Sequence, residues 1–162
     1  MEIKEMFQNQ IIKQMSVFST ILGLLLGVLT IIPFIGQFAF FALIVLSTPI
    51  VFVYMKKLEM IGIMDIKQGA IYGSIIGFVA FIAFCISFMP LAVIISFISK
   101  GSHYLWAGLL IKNGFFILIM LILFVSVLVA LMNAFSGLVT MYIYNQIEQK
   151  PIESQTDINI EE

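Results

Sequence analysis

The chain has no arginine, one cysteine, one histidine and one tryptophan, and charged residues make up only 10% of its 162 positions. Each shortage removes a class of function. Without arginine there is no guanidinium fork to grip phosphate from two sides, and the formal net charge is −1; nucleic acid is not an expected partner. A lone cysteine, Cys85, permits no disulfide within the chain and leaves the redox compartment open. With His103 as the single histidine, the several ligands that a metal site needs are missing, and no metal or other cofactor is expected.

The long apolar runs also lack acidic and basic residues. Ionisable groups retained inside a membrane despite their cost mark proton and ion pathways, so their absence argues against a proton-coupled carrier. Nor do the runs hold the paired aspartates, Ser/His pair or paired cysteines of membrane-embedded proteases and disulfide enzymes. No glycine-rich loop precedes a soluble helix to cradle phosphate. The chain is not expected to be an enzyme.

What is present is apolar surface. Hydrophobic residues reach 62%, against about 45–50% in soluble domains, and the mean hydropathy is +1.15. A water-soluble fold of this length could not hide so much apolar surface, so the lipid bilayer is the expected solvent. The fold class is therefore all-α: an integral membrane protein of four transmembrane helices packed as a small bundle.

Residues 1–15 carry Ile3, Met6, Phe7, Ile11 and Met15 at helical spacing between charged and amide side chains. This predicts an amphipathic segment in the membrane interface, and not a signal peptide. The transmembrane domain covers 16–146, with spans at about 16–34, 38–55, 69–89 and 114–144. The uncharged turn at Pro33, Gly36 and Gln37 leaves open a hairpin that dips into the bilayer and returns. The length of both flanking runs, closed by Lys56 and Lys57, favours full crossing. Ser47-Thr48-Pro49 should kink the second helix, the hydroxyls helping to satisfy groups freed by the proline.

Asp65 with Gln68 three residues on reads as a helix N-cap and its partner. The third helix then runs 31 residues, Gly69–Ser99, without a charge. That is about 46 Å of helix against roughly 30 Å of hydrocarbon. A kink at Pro90 is expected, with an extension to 99 along the interface. Lys100–Asn113 reads as an interfacial loop anchored by Tyr104 and Trp106. Residues 147–162 are acidic and expected to be disordered.

Gly69, Gly73 and Gly77 recur every four residues, and Ala80, Ala83 and Ser87 continue the stripe within an arc of roughly 120°. Such a smooth face lets helices approach closely in lipid. The first span offers Ser16, Thr20, Gly23, Gly27 and Thr30, and the fourth Ser126, Ala130, Asn133, Gly137 and Thr140. The helix-packing residues singled out are Gly23, Gly27, Gly69, Gly73, Gly77, Ala80 and Gly137, with Thr30 and Asn133 as a polar seam. Asn133 should bond across to a neighbouring helix, with a Ser or Thr of the first span as the expected partner. Cys85 falls opposite the glycines and reads as filler.

An even number of spans puts both ends on one side. Lys4, Lys13, Lys56, Lys57, Lys67 and Lys150 then share a compartment, against Lys100 and Lys112 on the other. Both termini are expected in the cytoplasm, and the location is the cytoplasmic membrane. The expected role is a non-enzymatic structural or accessory component whose partners are lipid, itself or a larger membrane protein. The alternative is a transporter or channel component for a neutral or lipid-like solute. A toxin-immunity or membrane-stress factor is a third class.

Overall fold

The computed structural model describes residues 2–61, 64–98 and 115–148. All regular structure among them is helical: α1 (Glu2–Leu29), α2 (Ile35–Phe41), a π-helical turn (Ala42–Leu46), α3 (Ser47–Lys57), α4 (Ile66–Ile98) and α5 (Phe115–Glu148). Four helical stretches are long and apolar enough to cross a membrane: Asn9–Leu29, Ile35–Lys57, Ile66–Ile95 and Phe116–Ile147. Residues 99–114, with His103, Tyr104 and Trp106 of the expected interfacial loop, residues 62–63 and the expected disordered tail from 149 onward lie outside the described residues.

Helix α1 is continuous from Glu2 to Leu29, so the amphipathic first turns and the first span belong to one rod. It ends at a turn where Phe34 has φ 69° and ψ −45°. The Ile35 amide donates to the Pro33 carbonyl at 2.9 Å across it. This is the γ-turn with positive φ at its centre, the rarer and more strained of the two forms. Gly36 follows because a Cβ there would collide with the Thr30 carbonyl.

The second span is built in three pieces, with the π turn directly before Ser47 and Pro49. Helix α3 then closes on a double bond pattern: the Glu59 amide donates to the Lys56 carbonyl at 2.9 Å and the Met60 amide to the Met55 carbonyl at 3.0 Å. Glu59 holds the left-handed position, φ 56°, that glycine usually takes at this kind of helix end. Asp65 precedes α4 as its N-cap. Its carboxylate accepts the Ile66 amide at 2.8 Å, and Gln68 Oε1 accepts the Asp65 amide at 3.2 Å, the back-bond half of a capping box. Pro90 lies inside α4.

Helix α4 is the central rod. Gly23 and Gly27 of α1 meet Ala80, Phe84 and Ser87 of α4, both series rising together, so these two helices are parallel. Gly69 and Gly73 meet Gly137 and Asn133 of α5 in reversed order, so α4 and α5 are antiparallel. Two apolar clusters fill the interior. One gathers Met15, Phe52, Met55, Ile76 and Met141, with Ile61 and Met64 from the loop tucked into it. The other gathers Leu26, Leu43, Phe81, Phe84 and Val129 near the opposite end. Through Ile61 and Met64 the loop thus contributes to the core. The outward faces remain apolar, as at Leu131 and Phe135 of α5, which suits contact with lipid chains.

Candidate functional site

Proline has no amide hydrogen, so Pro49 cannot donate to the Val45 carbonyl four residues earlier. The π turn disturbs the ladder on the same side of the helix. In hydrocarbon each polar backbone group left without a partner costs several kcal/mol. The repair comes from α5. Ser136 Oγ donates to the Val45 carbonyl at 2.7 Å. One turn away, Asn133 inserts its amide into the gap between Thr48 and Ile44.

That insertion is close to a peptide group in its bonding. Asn133 Oδ1 accepts the Thr48 amide at 3.1 Å and the Thr48 hydroxyl at 2.9 Å. Its Nδ2 donates to the Ile44 carbonyl at 2.9 Å, with the carbonyls of Val129 and Leu43 at 3.1 and 3.3 Å. In a regular α-helix the Thr48 amide would donate to Ile44 itself. Asn133 thus stands between the two ends of an interrupted bond. Both Asn133 and Thr48 are fully buried. Ser47 helps locally, its hydroxyl donating to the Leu43 carbonyl at 2.6 Å.

The expected partner for Asn133 on the first span is not what the structure shows. Thr48, on the second span, takes that place. Thr30 lies at the far end of α1, its hydroxyl returned to the Leu26 carbonyl at 2.7 Å. Ser16 and Thr20 likewise back-bond within α1. Ser136 was missed by sequence reasoning. Its signal was its position three residues beyond Asn133, on the same helix face as the amide.

The small residues make the crossing reachable. A Cβ at Gly73 would collide with the Asn133 carbonyl, and one at Gly77 would strike the Asn133 side chain. A Cβ at Gly69 would come within 2.8 Å of the Gly137 carbonyl and 2.6 Å of Met141 Cγ. Gly137 in turn faces the Gly69 carbonyl. Farther along, Gly23 rests on the Ala80 carbonyl, and a Cβ at Gly27 would lie 2.9 Å from the Phe84 carbonyl. The stripe on α4 therefore serves two neighbours: Gly69, Gly73 and Gly77 meet α5, while Ala80 and Ser87 meet α1.

A second feature lies at the end of the molecule that carries the α1–α2 turn. A groove of about 630 Å³ runs between that turn, α4 and the start of α5. Its floor is a phenylalanine stack on α4: Phe81 and Phe84 with ring centroids 6.0 Å apart, and Phe84 and Phe88 5.3 Å apart. Phe40 leans on Phe84 at 6.0 Å. Cys85, expected to be filler, is buried in the same wall. Only Thr30 and Gln37 among the lining residues carry a side-chain oxygen or nitrogen. Among the described residues no group of three or more His, Cys, Asp or Glu is placed to hold a metal ion.

Comparison with known protein families, characterised proteins and solved structures finds no match to this chain. The reading of its function therefore rests on its own geometry. Four apolar helices suggest a multi-pass membrane protein.

Proposed function

We propose that this chain is a non-enzymatic structural or accessory component of a cytoplasmic membrane, acting through contacts with lipid, with itself or with a larger membrane protein. In this reading the four helices pack as a small bundle, α4 bends at Pro90 and both termini face the cytoplasm. The observation that carries it is the use made of Asn133. Asn133, the most polar side chain well inside the apolar runs, has both ends of its amide committed to the protein's own backbone. It stabilises a broken helix and leaves no free polar group there for a substrate or an ion. The inward use of Gly69, Gly73 and Gly77 supports the same reading, because the smooth face is spent on α5 and outside partners meet the apolar side chains instead.

Cross-linking in native membranes followed by mass spectrometry tests this. Products joining the chain to lipid, to a second copy or to one larger membrane protein are the expected result. Recovery of the full-length chain as a folded species in buffer without detergent would overturn the membrane assignment. Termini found in opposite compartments would overturn the topology.

A second reading, a transporter or channel component for a neutral or lipid-like solute, is favoured by the groove beside the α1–α2 turn. Its route would pass along the phenylalanine wall and not through Asn133, which is sealed. Solute flux in liposomes that responds to substitutions in the groove, and is indifferent to Asn133→Gln, would select this reading.

A further inference from the structure

We propose that the groove beside the α1–α2 turn is a binding site for one acyl chain of a membrane lipid, with the lipid's polar junction held at Gln37. The inference rests on the membrane assignment above and names the occupant of a single site.

Three observations point to that occupant. The first is chemistry: apart from Thr30 and Gln37 the lining is hydrocarbon, aromatic ring or sulfur, with no charge. The Thr30 hydroxyl is already spent on Leu26. Below Gln37 a wall of this kind gives water few hydrogen-bond partners and suits an apolar guest. The second is depth. The groove follows α4 from Phe81 to Met89, about 12 Å of helix at 1.5 Å per residue. One leaflet of hydrocarbon is about 15 Å deep, half the ~30 Å core. The groove thus descends most of one leaflet from the end where the chain turns, which is how a lipid tail hangs.

The third observation is the mouth. Gln37 is exposed, and among the described residues its side-chain amide has no hydrogen-bond partner. It sits beside the strained γ-turn at Phe34, which also lines the groove. An amide can donate to and accept from the ester and glycerol oxygens at the top of a lipid tail. Strain of this kind persists only where the surroundings hold it, and it gathers at sites that clamp ligands. Apolar body and polar rim are the ordinary make-up of a small-molecule site, and 630 Å³ falls within the usual range of ~300–1,000 Å³.

The test uses the full chain in vesicles of phosphatidylglycerol whose acyl chain carries a photoactivatable diazirine, placed either near the ester or near the chain end. Labelled residues are read by mass spectrometry. The expected result is graded by depth: the ester-side probe labels Phe34 and Gln37, and the chain-end probe labels Phe81 and Phe84. Val125→Trp, which fills the groove from α5, should lower both by at least five-fold and leave labelling of outward-facing Leu131 unchanged. Labelling spread evenly over Leu131 and the groove, or a groove signal that ignores probe position, overturns the site. Cross-links from the groove to residues 99–114 of the same chain, without lipid label, assign it to the protein itself and also overturn the proposal. The depth grading needs no variant, so a Val125→Trp chain that does not fold leaves the test intact. Carbonate extraction is run in parallel: release of the unaltered chain from vesicles would remove the membrane assignment, whereas retention with no graded labelling removes only the acyl-chain site.

Discussion

The neighbourhood of Asn133 and the neighbourhood of the α1–α2 turn are built from similar apolar helices but solve opposite problems. Around Asn133 the second span is broken by Pro49 and a π turn, and α4 and α5 meet backbone to backbone through Gly69, Gly73 and Gly137. Polar backbone groups are freed there and α5 repairs them. Around the turn the side chains are large, and the Phe81–Phe84–Phe88 stack forms one wall of an open groove. The difference lies in side-chain volume. Small residues bring backbones within reach of hydrogen bonds, while bulky rings leave space at their edges. Close packing gives the first region stability, and loose packing gives the second room for a guest.

Breaking the tight side should have the largest effect. Gly73→Leu puts a branched side chain where even a Cβ collides with the Asn133 carbonyl. Overpacking of this kind costs about 1–3 kcal/mol, occasionally more, and backbone against backbone belongs at the upper end. Thermal unfolding in detergent should show a large fall in midpoint or no folded fraction. An unchanged midpoint would mean that α4 and α5 do not meet here.

Asn133→Leu should come next. It removes the acceptor for the Thr48 amide and the donor for the Ile44 carbonyl together. Membrane double-mutant cycles average about 0.6 kcal/mol per hydrogen bond, reaching about 1.7; two buried backbone groups place this loss near the upper value. Hydrogen exchange at the Thr48 amide should quicken with it.

Ser136→Ala sharpens the comparison at a smaller scale, with an expected loss of about 0.5–1 kcal/mol. Its meaning depends on Pro49. With Pro49→Ala in place, residue 49 regains an amide for the Val45 carbonyl, and Ser136→Ala should then cost almost nothing. A double-mutant cycle reads this coupling directly. Equal losses in both backgrounds would remove the repair explanation.

The loose side should respond least. Gln37→Leu changes an exposed side chain with no partner among the described residues, and its effect on unfolding should stay within about 0.5 kcal/mol. A large loss there would show that the groove end is as closely engaged as the glycine end.

Much of this molecule was legible in its residue order. Gly73 and Gly77 pointed to close helix contact, Asp65 and Gln68 to the start of α4, and Pro49 to a disturbed second span. The sequence also marked Asn133 as a cross-helix group, but its partner was misassigned to the first span. Pairing by shared polarity favoured the seam with Thr30, and nothing in the order of residues says which helix passes Asn133 at which height. The proline was the better guide, since the backbone groups it frees are stronger demands than a hydroxyl already satisfied within its own helix. The groove left no signature, because Thr30, Phe40, Phe84 and Val125 are distant in the chain and become one wall only when four elements converge.

Long uncharged runs bounded by lysines and acids are sufficient, alone, to make hydrocarbon the favoured surroundings and a helix the only way to pair each backbone group within a run. Tertiary structure alone decided that α4 stands between α1 and α5, that Asn133 and Ser136 mend the second span, and that a cavity opens beside Phe84. Those outcomes depend on the relative height and rotation of whole helices, which are set by the fit of volumes across contacts and are invisible within any single run.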